Sequence, residues 1–143
     1  MTLLIQYTII FASVLLLVAL GGCFSERSGV INIGLEGIMV IGALGGALMM
    51  KYMPEGASPF VLIICTVLMA IIAGVVYSSL LAVACINFKA DQTIIGTALN
   101  LLGVAAATVI VKAINTAENP DNVSSEIPVS YTHLRAHETC ADL

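Results

Sequence analysis

Charged residues fall on this chain in widely separated clusters, and the stretches between them are almost wholly apolar. Residues 1–25 carry no charge until the cluster Ser25-Glu26-Arg27-Ser28-Gly29. A second apolar run, 30–50, is interrupted by Glu36 and loosened by Gly34, Gly37, Gly42, Gly45 and Gly46. From Lys51 to Pro59 the breakers Pro54, Gly56, Ser58 and Pro59 read as a turn. Residues 60–88 form a third uncharged run, closed by Lys89-Ala90-Asp91-Gln92, and 93–111 a fourth, closed by Lys112. About 20 apolar residues cross the ~30 Å hydrocarbon core as a helix. The third run, at ~1.5 Å per residue, is longer than that core and is expected to tilt or to extend past the interface. The alternating pattern of a barrel strand is absent, and backbone surrounded by lipid must satisfy its own hydrogen bonds. The pattern predicts an all-α, polytopic transmembrane helical protein with about three to four membrane segments. They lie near residues 2–24, 30–50, 60–88 and 93–112.

Composition agrees. The 143 residues are 59% hydrophobic and 10% charged, with a mean hydropathy of +1.06. A chain this short has too little interior to hide that much apolar surface from water, so the lipid bilayer is the expected solvent. The net charge of −4 says little about partners, because Glu118, Asp121, Glu126, Glu138 and Asp142 supply five of the nine acidic residues. Without a basic excess there is no electrostatic case for nucleic acid. Cys23, Cys65, Cys85 and Cys140 have no metal-ligand spacing and form no CxxC pair, and those in or beside apolar runs read as small hydrophobes. The first run has no basic n-region and suits a spanning helix better than a signal peptide. With four spans, Arg27 and Lys89 fall on one side and Lys51 and Lys112 on the other, so the positive-inside rule leaves orientation open.

From Asn115 to Pro128 the chain turns polar, acidic and proline-bearing, as expected of an aqueous loop. The bare sequon Asn122-Val123-Ser124 is too weak a signal to use. Residues 129–143, VSYTHLRAHETCADL, fit nothing before them. They closely resemble the conceptual translation of a transposase sequencing adapter, which makes 129–143 a non-native tail and 1–128 the native part. His133, His137, Glu138 and Cys140 would otherwise suggest a metal site at helical spacing; on this reading no metal site is expected.

Glu36 is the most informative single position. An ionised carboxylate facing lipid costs roughly 2.5–3.5 kcal/mol on insertion scales. It therefore faces a protein interior or a watery cavity, sits near the interface beside Arg27, Ser28 or a helix N-terminus, or is protonated. Gly34 and Gly37 flank it, and glycine in a membrane helix marks a break or a close helix contact. Gly42 with Gly46, and Ala43 with Ala47, make small-xxx-small pairs, which usually mean ordinary packing. Thr93, Thr97 and Asn100 share one helical face, with Gly96 and Gly103 adjoining. Such a polar stripe reads as interhelical glue, or alternatively as substrate contact, and Tyr77, Ser78 and Ser79 carry the same ambiguity. Before the tail there is no histidine, no HExxH, no GxSxG and no Gly-rich loop ending in Lys-Ser or Lys-Thr. No catalytic residues and no cofactor are expected.

Two blocks carry a resemblance. Residues 20–43, LGGCFSERSGVINIGLEGIMVIGA, look like the signature near the start of bacterial ABC importer permeases of the nucleoside and simple-sugar branch, grouped with the branched-chain amino acid permeases. Residues 88–102, FKADQTIIGTALNLL, resemble the same branch at its next characteristic stretch. The resemblance covers roughly residues 1–128 and implies the N-terminal part of a larger permease bundle, multi-pass in the bacterial inner membrane. It further implies a second permease subunit, a cytoplasmic ABC ATPase and an extracytoplasmic substrate-binding lipoprotein as partners, with ATP hydrolysis on the ATPase. The cytoplasmic coupling segment expected later in such permeases is not among these residues. The polar-in-membrane argument nominates Asn32, Glu36 and Asn100 as lining the translocation path. The competing reading is a small self-contained membrane channel or membrane interaction protein.

Overall fold

The computed structural model describes residues 2–54, 58–121 and 124–127. Four α-helices account for nearly all of them: α1 (Thr2–Arg27), α2 (Leu35–Tyr52), α3 (Pro59–Ile86) and α4 (Gln92–Glu118). Each is long and apolar enough to cross a membrane, and no strand occurs among the described residues. The expected all-α, multi-pass architecture is therefore what the chain adopts. The 129–143 tail, with His133, His137, Glu138 and Cys140, lies outside the described residues.

Local chemistry sets the helix ends. α1 stops in a Schellman motif. Gly29, at φ +82°, takes the left-handed position, Val30 N–H donates to Ser25 O (3.2 Å) and Gly29 N–H donates to Glu26 O (3.0 Å). Ser58 and Pro59 open α3 as N-cap and first helical residue. Asp91 caps α4, its carboxylate accepting from the N–H groups of Thr93 (2.8 Å) and Ile94 (3.3 Å).

The helices of the first and third runs end within about three residues of the expected bounds, and the other two differ further. The run 30–50 is helical only from Leu35, because Asn32 Oδ1 accepts from Gly34 N–H at 3.1 Å. That local turn competes with helix for the same backbone groups. The run 93–112 continues as helix to Glu118; Lys112 ends the apolar stretch without breaking backbone pairing. Asn115, expected at the start of an aqueous loop, is instead an α4 residue only 1% exposed.

α2 is the central element. On one side Gly42, Gly45 and Gly46 let it approach Thr66, Met69, Ala70 and Ala73 of α3. On the other, Leu44 packs with Ala107 and Val111 of α4. Tyr77 and Leu81 of α3 meet Leu99 of α4 in a second cluster. α1 has no buried residue; it comes close to α2 at its C-terminal end, where a Cβ on Gly22 would lie 3.1 Å from Leu35 Cδ1. Lys51 at the end of α2 pairs with Glu118 at the end of α4 (2.8 Å), and Gln92 at the start of α4 reaches Ile31 (3.1 Å). The helix starts and ends thus group as four antiparallel crossings require.

In sealed vesicles, a membrane-impermeant maleimide is expected to label Ser28→Cys and Lys89→Cys from one face and Met53→Cys only from the other, in a chain whose native cysteines are replaced by alanine. Labelling of all three from one face would contradict the crossing order.

A broken helix start clamped by Asn100

α2 spans 18 residues and α3 and α4 span 28 and 27. At ~1.5 Å per residue, α2 is shorter by more than 10 Å. Non-helical residues 28–34 occupy the difference, running beside the first turns of α4. Irregular backbone at membrane depth persists only where protein or water satisfies its polar groups.

Ser25 and Asn32 serve Val30 and Gly34 locally, and α4 supplies partners for Ile31 and Ile33. Gln92 Oε1 accepts from Ile31 N–H (3.1 Å). Asn100 Nδ2 donates to Ile33 O (2.8 Å), and Asn100 Oδ1 accepts from Gly37 N–H (2.8 Å). Gly37 is the third residue of α2, and its N–H is one of the four that a helix start leaves orphaned. Gly34, the N-cap, has no side chain to serve it. Asn100 therefore performs the capping function from another helix, while also holding the Ile33 carbonyl of the approach segment. Both faces of its amide are required, since an amide donates from nitrogen and accepts at oxygen.

Three glycines make the clamp possible. A Cβ on Gly37 would lie 2.7 Å from Leu99 O and 3.0 Å from Asn100 Cα; one on Gly103 would lie 2.8 Å from Gly37 Cα. One on Gly96 would lie 3.1 Å from Gly34 N. These are backbone-to-backbone approaches with no flexible side chain to yield. Tyr77 of α3 joins the same node, its hydroxyl donating to Leu99 O at 2.7 Å.

The residues nominated from sequence divide here. Asn32 and Asn100 are brought together around the break, Asn32 shaping the turn and Asn100 closing it. Glu36 stands in the first turn of α2 with its side chain exposed, and it has no hydrogen bond or ion pair among the described residues. The positive end of the α2 dipole favours a carboxylate at that position. Glu36 shares a stripe with Ala43 and Ala47, seven and eleven residues on, which points away from the α3 and α4 contacts. Thr97 turns back, donating to Thr93 O (2.8 Å), and both threonines are exposed. Gly96 and Gly103 sit on the α2-facing side with Asn100, rather than beside a shared Thr–Asn stripe. Ser78 and Ser79 likewise bond their own helix. Sequence reasoning gave no weight to Gln92 and left Tyr77 undecided. No group of metal-ligating side chains occurs among the described residues.

The fold and this clamp define a polytopic helical membrane protein whose second helix begins from a break held by Asn100. The chain belongs to the family described as branched-chain amino acid transport system / permease component, which it matches over residues 4–135. It is 40% identical over 126 residues to the guanosine ABC transporter permease protein NupQ of Bacillus subtilis, covering 86% of this chain and 38% of the relative. It is 39% identical over 100 residues to the nucleoside ABC transporter permease protein NupC of Lactococcus lactis, covering 68% and 30%. It is 37% identical over 105 residues to the putative glucose ABC transporter permease protein of Haloferax volcanii, covering 73% and 30%. The chain thus spans about a third of the length of these relatives. No solved structure matches it.

Asn100→Leu is expected to orphan Gly37 N–H and Ile33 O and to destabilise the helix bundle by about 2–6 kcal/mol, from roughly 1–3 per unsatisfied group. Gly37→Ala is expected to cost about 1–3 kcal/mol through overpacking against α4 backbone. Denaturant titration of helix content in mixed micelles measures both. A loss under about 0.5 kcal/mol for Asn100→Leu, the level of an ordinary surface change, would contradict the clamp.

Proposed function

We propose that the chain is the N-terminal part of a permease subunit of an ATP-binding cassette importer, carrying nucleosides or related simple sugars across the bacterial inner membrane. The carrying observation is that the two stretches resembling importer permeases, 20–43 and 88–102, fold onto one another through Asn100 and the Gly34, Gly37, Gly96 and Gly103 approaches. Residues that characterise the branch thereby build one structural element instead of two unrelated helices. The names of two relatives, guanosine and nucleoside permeases, favour nucleosides over branched-chain amino acids.

On this reading, Asn32, Glu36 and Asn100 form part of the path wall. Asn32 and Asn100 hold the broken backbone in place, and Glu36 presents a carboxylate where an exposed charge must meet water or other protein. A second permease subunit completes the path. A cytoplasmic ATPase supplies the hydrolysis, and an extracytoplasmic lipoprotein delivers substrate. The chain's own contribution is positioning and passage, with no bond made or broken on it.

A chimaera in which residues 2–118 replace the matching N-terminal third of the Bacillus subtilis guanosine permease is expected to restore radiolabelled guanosine uptake to a strain lacking that permease. Glu36→Leu in the chimaera is expected to lower uptake at an unchanged amount of protein in the membrane. A chimaera that inserts normally yet carries no guanosine would overturn the substrate class, and undiminished uptake by Glu36→Leu would remove that residue from the path.

A further inference from the structure

At the Lys51 end of the bundle the chain does not simply leave α4 for water. Asn115, three residues before the end of α4, is 1% exposed, and its Nδ2 donates to Glu126 O (2.7 Å), Ser124 O (3.0 Å) and Ser124 Oγ (3.3 Å). Two of these acceptors are backbone carbonyls, which can only accept, so the donor side of the amide must face the returning chain. Among the described residues the amide oxygen is buried without a hydrogen-bond partner; the donor side carries the contact.

The rest of the returning segment explains it. Ile127 packs against the Leu44, Ala107 and Val111 cluster, which joins α2 to α4. Val111 lies seven residues before the end of α4, so the chain reverses after α4 and descends beside the helix by about 10 Å. Irregular backbone cannot be carried there without donors for its carbonyls, and Asn115 provides them. The Lys51–Glu118 pair holds the two helix ends together at the same level.

We infer that residues 124–127 form a return strap that covers the α2–α4 seam, and that Asn115 is the positioning residue that latches it. The strap gives this end of the seam a cover that can open without either helix unwinding. Its opening uncovers the Leu44–Ala107–Val111 cluster and frees the Asn115 amide.

The test uses the full 143-residue chain in lipid nanodiscs, with its native cysteines replaced by alanine and single reporters at Ile127→Cys, Ser125→Cys and Leu99→Cys. A water-soluble maleimide should modify Ile127→Cys about tenfold or more slowly than the exposed Ser125→Cys, the factor expected from one or two hydrogen bonds holding the strap closed. Adding Asn115→Ala should raise the Ile127→Cys rate to that of Ser125→Cys while Leu99→Cys stays protected. Equal rates at positions 125 and 127 with Asn115 intact would overturn the strap, a reading that requires no change at the latch. Unchanged protection of Ile127→Cys in Asn115→Ala would overturn the latch. Should Asn115→Ala also expose Leu99→Cys, the same comparison is made with Asn115→Ser, and concerted exposure of both sites there would show a collapse of the helix end and overturn the separable strap.

Discussion

Lipid offers no hydrogen bonds, and that single fact governs the start of α2. Non-helical chain enters beside α4, and Ile31 N–H, Ile33 O and the Gly37 N–H at the helix start would lose their partners without Gln92 and Asn100. Asn100 is decisive because it serves a carbonyl and an N–H at once. To reach them α4 must lie almost on the backbone of α2, which only hydrogen in place of a side chain at Gly37, Gly96 and Gly103 permits. The short α2, the glycine contacts and the Tyr77 hydrogen bond from α3 are all consequences of the same requirement.

The bundle is built differently at its two ends. Along the α2–α4 seam near Ile31 and Gln92, polar side chains pair with backbone and the helices touch through glycine. Along the same seam near Lys51 and Glu118, contact comes from an apolar cluster, an ion pair and the Asn115 amide. The ion pair itself adds little, since the Glu118 side chain is 50% exposed and such pairs are screened. Its effect is to keep two helix ends in register. α1 takes almost no part in this core; it has no buried residue and meets α2 only near its C-terminal end.

Hydropathy made the four crossings legible because each apolar run is about as long as the hydrocarbon core is thick, with Glu36 the one charge inside any of them. It could not place the start of α2, since residues 30–34 are as apolar as a helix and only the Asn32 turn betrays the break. Nor could it place the end of α4: Lys112 is a boundary of hydrophobicity, and helix ends follow from backbone pairing. Among the candidate residues, Asn100 was visible as a polar group in an oily run. Its partners were not, because the separation from Gly37 spans 63 residues. Helical periodicity placed Thr93, Thr97 and Asn100 together, yet a threonine can satisfy its hydroxyl on its own helix and an asparagine cannot as readily, so the stripe splits by chemistry.

The approach of Gly37 to Gly103 has a further implication for how this sequence can change. Neighbouring core positions usually trade volume, one shrinking as the other grows. Here each glycine abuts main chain, which has no smaller version to offer. The two sites are therefore closed to compensation, and any drift in either must be accommodated by moving a whole helix.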